Sequence, residues 1–234
     1  MKQIWPGPEK ELSKAQLAAA YPWPQDRGHS WLRANMVMSL DGSMTGPDGL
    51  SKSISSPADR VLLGLLRRDA DVILVGAKTI RAENYRPAAL PMAIVSNSLD
   101  LPADLAMFAQ ATADTPRSMV LTSRAAIAGA PGGLEERIDL IACGAKKVDL
   151  KVAIAALAEK GLTRIHCEGG PALLADLLVA GLLDELLLTI SPVLLGLEPH
   201  LVDFPRLPAI TAEPEQVLFE DGSVFLRYSM KTNK

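Results

Sequence analysis

The residues of this chain that could do chemistry collect where strands end. Asp41 closes the stretch "NMVMSLDG" at residues 35–42, Glu168 stands in "RIHCEGG" beside Gly169 and Gly170, and Gly76 ends "DVILVG" just before Lys78, Thr79 and Arg81. A carboxylate such as Asp41 can accept paired hydrogen bonds from the amino and ring N–H groups of a nitrogen heterocycle. It can equally close an Asx turn at the end of its strand. Glu168, in an otherwise apolar strand end, is costly to bury without a task or a partner. Arg67 is a plausible phosphate partner, and a salt bridge to a neighbouring group of opposite charge is the plainer alternative for both. Glycine at 76 and at 169–170 lets a phosphate-bearing ligand approach the backbone where a Cβ would obstruct it, although a glycine between strand and helix also serves as a simple tight connection.

Such residues work together only if a scaffold gathers the strand ends. A strand is expected over residues 31–38. Ser56-Pro57 then offers an N-cap and a first-turn proline for a helix reaching about Asp69. "DVILVG" is apolar on both faces, the pattern of a central strand covered from both sides. "MAIVS", "SMVLTS", "RIDLIAC" and "RIHCEGG" are further strand candidates, while "DLKVAIAALAEKG" and "PALLADLLVAG" have helical spacing with glycine stops. This alternation predicts an α/β fold with a mostly parallel central sheet. Asp221-Gly222 between "EQVLFE" and "SVFLRYSM" predicts a hairpin that adds antiparallel strands to it. Residues 1–30 read as an arm or irregular edge, and residues 31–234 as one domain. In open α/β sheets ligands bind beyond the carboxyl ends of the strands, where helix N-termini present unpaired N–H groups. Both "VGAKT" and "CEGGP" are expected at such ends, yet neither is a GxGxxG fingerprint or a P-loop.

Composition narrows the partners. Among 234 residues, 48% are apolar, the formal net charge is −3 and the pI is near 5.7. That balance gives no electrostatic footprint for nucleic acid or an anionic membrane. The apolar run "LLADLLVAGLLDELLLTISPVLLG" is broken by Asp176, Asp184, Glu185 and Pro192, so it reads as helix, turn and strand in a core. The amino terminus lacks the apolar region of a signal peptide. Cys143 and Cys167 are too few for a disulfide framework and suit a reduced cytoplasmic interior. His29, His166 and His200 have no metal-ligand spacing, so no metal is assigned, and His166 reads as a packed strand residue.

"NMVMSLDG", "ISSPADRVLLGLLRRDADVILVGAKTIRAE" and "CEGGPALLADLLVAGLLDELLLTISPVLLG" resemble, in order, the motifs of the reductase domain of riboflavin biosynthesis, a family with the dihydrofolate-reductase-like fold. The resemblance implies NADPH-dependent reduction of a ribosylamino-pyrimidinone 5′-phosphate to its ribitylamino form, with hydride delivered to ribose C1′. It also implies a homodimer formed through apolar surface near "VLLG" and "VFLRY". By position, Gly76 and Thr79 would line the cofactor, and Gly169, Gly170, Pro171, Ala172, Leu173 and Leu174 would form the loop and helix start beneath its pyrophosphate. Lys78 or Arg81 would pair with the 2′-phosphate, a solvated helix face being the alternative for both. Ser39 and Asp41 match the "SLDG" turn at the mouth of the site, and Ser51, Arg67 and Glu168 fall where the family contacts substrate. Asp41 and Glu168 are the candidates for assisting proton delivery. The chain departs from the family pattern at Asn35, where many members carry Lys, at Ser53 in place of Trp, and at "ENYRPAALP" in place of "DDPxLTVR". It also lacks the HxE and PCxxC pattern of the zinc deaminase domain, which implies a stand-alone reductase. Reduction of dihydrofolate or another pterin, and NADPH binding without turnover, are the alternative readings.

Overall fold

The computed structural model describes residues 1–24, 28–201 and 209–231. Its strands are β1 Lys2–Trp5, β2 Lys10–Glu11, β3 Trp31–Ser39, β4 Val72–Gly76, β5 Met92–Val95, β6 Met119–Thr122, β7 Asp139–Ala142, β8 Arg164–Cys167, β9 Glu185–Ser191, β10 Ala212–Glu220 and β11 Ser223–Met230. They form one eleven-stranded sheet in the order β2-β1-β10-β11-β9-β3-β8-β4-β5-β6-β7. From β9 to β7 every neighbouring pair is parallel. The remaining pairs are antiparallel. The α/β fold with appended antiparallel strands is therefore the one its hydrophobic pattern predicts.

The helices are α1 Lys14–Ala19, α2 Pro57–Arg68, α3 Ala77–Glu83, α4 Ala106–Ala109, α5 Arg124–Ala128, α6 Leu134–Arg137, α7 Leu150–Glu159 and α8 Pro171–Val179. α2 begins as expected: the Ser56 hydroxyl accepts from the Asp59 N–H, and Pro57, which has no N–H to leave unsatisfied, takes the first helical position. The first four residues of β4 are essentially inaccessible, because alternate side chains enter opposite cores. Leu74 packs with Leu157, Leu173, Leu174 and Leu177 of α7 and α8. Ile73 and Val75 pack with Ile80 of α3. A third cluster joins α1 and α2 to Leu187, Leu218 and Phe225.

Asp221 and Gly222 both take positive φ, 49° and 76°. That is the two-residue hairpin turn whose twist matches its strands, and it sets Glu220 opposite Ser223. Residues 1–24 contribute β1, β2 and α1 at the edge of the sheet. They are clamped there by two arginines: Arg33 donates to the Tyr21 and Pro22 carbonyls at 3.3 and 2.9 Å, and Arg227 donates to the Ala20 carbonyl. Both arginines also bind the buried Glu185 carboxylate. Among the described residues, no helix is long and apolar enough to cross a membrane.

Candidate active site

β4 and β8 are parallel neighbours, with Leu74 opposite Cys167, so the two glycine turns leave the sheet side by side. The Gly76 N–H donates to the Gly169 carbonyl at 2.7 Å. Gly76 is the N-cap of α3 and Gly170 that of α8, so neither helix has a side-chain cap. First-turn N–H groups without a side-chain acceptor suit an anionic ligand. The glycine requirement has a specific origin. A Cβ on Gly170 would lie 2.7 Å from the Thr79 hydroxyl, and one on Gly169, whose φ is +78°, would lie 2.7 Å from the Met36 methyl. A Cβ on Gly76 would make only ordinary contacts, the nearest at 3.7 Å to the Gly169 carbonyl. The pair at 169–170, joined by a cis peptide, thus lets two helix starts touch.

Beyond these turns the same sheet edge continues to Ser96 after β5 and Thr122-Ser123 at the end of β6. Three strand spacings make this row about 14 Å long. The Thr122 hydroxyl is buried without a partner. An extended, phosphate-bearing cofactor fits this row, whose two uncapped helix starts supply N–H donors. Pro171 starts α8, and Leu173 and Leu174 are buried in the core, so the residues of that turn can serve a ligand through backbone rather than side chain. Of the two expected 2′-phosphate partners, Arg81 is tied to Asp100, donating to its carbonyl at 2.7 Å with the carboxylate 3.4 Å away. Lys78 is exposed and has no partner among the described residues.

α3 has seven residues and runs about 10 Å from that row to a second feature. Between the C-terminal ends of α2 and α3 and the loop at 84–91 lies a cavity of about 860 Å³, with Ile73 and Met92 on its wall. Four basic side chains line it, Lys52, Arg67, Arg68 and Arg86, against one acid, Glu83. In a chain of net charge −3 this is a marked local excess of positive charge. Arg68 is paired with Asp69 at 2.8 Å, and Lys52 and Arg86 have no partner among the described residues. Ser51, expected at the substrate, donates its backbone N–H to Glu83 at 2.7 Å on the rim.

Glu168 lies behind this wall with a side-chain exposure of 5%. Arg67 Nε and Nη2 each donate to one of its oxygens at 2.6 Å, and the Tyr85 hydroxyl donates to Oε2 at 2.8 Å. Burial pushes the Glu168 carboxyl up, but the Arg67 bonds and charge, together with His166 and Tyr85, outweigh it and hold the group below the usual carboxylate range. His166 is fully buried, with Nε2 3.6 Å from Glu168, and burial lowers its pKa to about 4. The expectation that Glu168 assists proton delivery is corrected here. It is ionised at neutral pH and screened from the cavity by Arg67 and Tyr85, and the salt bridge anticipated for both residues joins them to each other.

Asp41 stands elsewhere. Because Ala34 pairs with Cys167, Glu168 is level with Asn35, and Ser39 lies four residues, about 13 Å, farther along β3. Asp41 accepts from the Ser39 hydroxyl and from the N–H groups of Leu195, at 3.2 Å, and Gly196. The Ser39 bond first, then that from Gly196, lowers its pKa to about 2. The Ser39 hydroxyl in turn accepts from the Ser43 N–H at 2.8 Å. Ser39 and Asp41 therefore fasten the turn after β3 to the loop after β9. The local turn, rather than the heterocycle contact, accounts for the Asp41 carboxylate, and the two candidate carboxylates are not brought together.

Tyr85, Lys52 and Arg86 escape a motif-based reading. Tyr85 and Arg86 belong to "ENYRPAALP", the segment that registers in the sequence only as a departure. Asn35 shares a sheet face with Glu168, and its Oδ1 is buried without a partner.

The model of the RibD C-terminal domain matches residues 30–219, a span holding both glycine turns and the cavity. The 2,5-diamino-6-ribosylamino-4(3H)-pyrimidinone 5′-phosphate reductase of Methanothermobacter thermautotrophicus is 29% identical over 171 residues, 69% of this chain and 77% of its own. The crystal structure of a pyrimidine reductase-like protein from Corynebacterium diphtheriae superimposes with a TM-score of 0.67 at 26% identity, over 86% of this chain and 92% of that one. The Saccharomyces cerevisiae riboflavin biosynthesis reductase Rib7 shares the fold, with a TM-score of 0.67 at 20% identity, over 89% and 93%. With its glycine turns joined at one sheet edge and its fold shared with these reductases, the chain belongs to the RibD C-terminal domain family.

Proposed function

We propose that this protein reduces a ribosylamino-pyrimidinone 5′-phosphate to the ribitylamino product of riboflavin biosynthesis, using NADPH. The observation that carries this reading is the basic cavity standing one short helix away from the row of strand ends. A phosphorylated small molecule suits the cavity, and a dinucleotide suits the row. NADPH, when bound, supplies the hydride that C1′ of the opened, imine-like sugar receives. Gly76, Thr79 and the turn at 169–174 would hold it, with Lys78 at its 2′-phosphate.

The chain's own residues then bind and orient. Lys52 and Arg86, which have no partner among the described residues, meet the substrate phosphate, with Arg86 standing in for the arginine missing from the altered segment. Arg67 has Nη1 left for a ligand oxygen. Alignment of acceptor against donor accounts for most of the rate enhancement in such a site. The proton that accompanies hydride addition comes from water, because Glu168 is ionised and His166 lies out of reach beneath the cavity.

A homodimer belongs to the same reading. The outer face of the β10–β11 hairpin and β1 carries Ile4, Trp5 and Phe219, which are 37%, 41% and 43% exposed, and Leu194 in "VLLG" is 73% exposed. A second copy would cover such surface. A cytoplasmic location suits the two buried free thiols, Cys143 and Cys167.

The test is NADPH oxidation by purified protein with the ribosylamino-pyrimidinone phosphate and, separately, with dihydrofolate. Faster turnover of the first is expected. Faster turnover of dihydrofolate would replace this reading with pterin reduction, and NADPH binding without oxidation of either would make the protein a nucleotide-binding module.

A further inference from the structure

Among the described residues, Tyr85 is the one aromatic side chain on the cavity wall. α3 ends at Asn84, which takes a left-handed φ of 45°, and its side-chain oxygen accepts from the Ala106 N–H at 3.0 Å. That turn returns Tyr85 beneath the end of α2. There its hydroxyl reaches Glu168 Oε2 at 2.8 Å, and its ring centroid lies 6.0 Å from the Arg67 guanidinium carbon.

The donors and acceptors leave little freedom. Oε1 of Glu168 accepts from Arg67 Nε, and Oε2 accepts from both Arg67 Nη2 and Tyr85. Nε and Nη2 are engaged by Glu168, which leaves Nη1, and the Arg67 side chain, 35% exposed, lines the cavity. A long arginine side chain held this way before binding loses less conformational freedom when a ligand arrives.

We propose that Tyr85 is a positioning residue of this site: its hydroxyl completes the lock on Glu168 that holds the Arg67 guanidinium in one orientation, with Nη1 presented to an oxygen of the substrate. The proposal rests on the reading of the cavity as the substrate site. It gives the "ENYRP" segment a role that the motif-matching residues do not supply. Arg67 is met from behind by a carboxylate that is itself fixed from two elements, α2 and the loop after α3.

A pH signature follows from the geometry. The groups facing Glu168 are Arg67 from α2, Tyr85 from the loop after α3 and His166 from β8. The Tyr85 hydroxyl stabilises the ionised carboxylate, so removing it raises the pKa of Glu168, and on acidification the lock opens at higher pH.

Tyr85→Phe keeps the ring and deletes the hydroxyl. With the pyrimidinone phosphate and NADPH, its KM for the pyrimidine is expected to rise about tenfold with kcat near wild type, consistent with loss of a bond to a charged group. The acid limb of kcat/KM should move to higher pH. The double variant Tyr85→Phe/Glu168→Gln should be no worse than Glu168→Gln alone. A carbon-13 NMR titration of the Glu168 carboxyl in ligand-free protein needs no turnover and should give a higher pKa in Tyr85→Phe. A folded Tyr85→Phe protein with wild-type KM, acid limb and carboxyl titration overturns the proposal. If the wild-type protein does not turn over the pyrimidine but the carboxyl titration shifts as expected, the lock is supported and the substrate reading falls.

Discussion

At the scale of single residues, the most consequential group is one that touches no ligand. His166 is fully buried among Arg33, Glu168 and Arg67, and burial lowers its pKa from 6.5 to about 4. In the unfolded chain it titrates normally, so the unfolded state binds the extra proton first as pH falls. Its contribution to stability is complete above pH 6.5 and is lost as pH drops toward 4. Two and a half pKa units correspond to about 3 kcal/mol. Urea unfolding at pH 7.5 and pH 4.5 should show a loss of roughly that size, and His166→Gln should remove most of the difference; an equal loss in the variant would assign the acid sensitivity elsewhere. Sequence reasoning recognised His166 as a packing residue because it stands in an apolar strand. It did not reveal that Arg67 and Glu168 neutralise each other, because 101 residues separate them and only the β4–β8 register brings them together.

At the scale of elements, strands and helices were legible wherever a local pattern sufficed. The continuous apolar run of β4, the Ser56-Pro57 start of α2 and the Asp221-Gly222 turn all carry their own signals. β1 and β2 do not, because β2 is only two residues long and β1 joins the sheet by pairing with β10, more than two hundred residues later. The glycine turns were legible individually, but their union was not: what glycine at 170 makes room for is Thr79 of another helix. Gly170→Ala should therefore weaken NADPH binding about tenfold or more and lower stability by about 1–2 kcal/mol, since overpacking at a rigid contact displaces one partner. Adding Thr79→Ala removes the clashing hydroxyl and should restore most of the stability. Calorimetry and thermal unfolding read the two effects separately, and unchanged binding in Gly170→Ala would show that the junction of α3 and α8 does not serve the cofactor.

At the scale of the whole molecule, the proposed homodimer is tested by sedimentation equilibrium. Phe219→Glu, on the outer face of the hairpin, should convert a dimer to a monomer while leaving the circular dichroism spectrum unchanged; a wild-type protein that sediments as a monomer at micromolar concentration would remove the dimer from the reading. The sheet order has a further consequence, in the time domain. β3 is flanked by β8 and β9, so a strand complete by residue 39 finds its neighbours only after residues 164–191 exist. During synthesis this apolar strand leaves the ribosome long before its partners, and native pairing across the middle of the sheet must wait for them. The fold therefore belongs with topologies that assemble slowly and keep sticky surface in the open while they do so. On a growing chain, neither the junction of α3 with α8 nor the Arg67–Glu168 lock can form before residues 168–170 have been made.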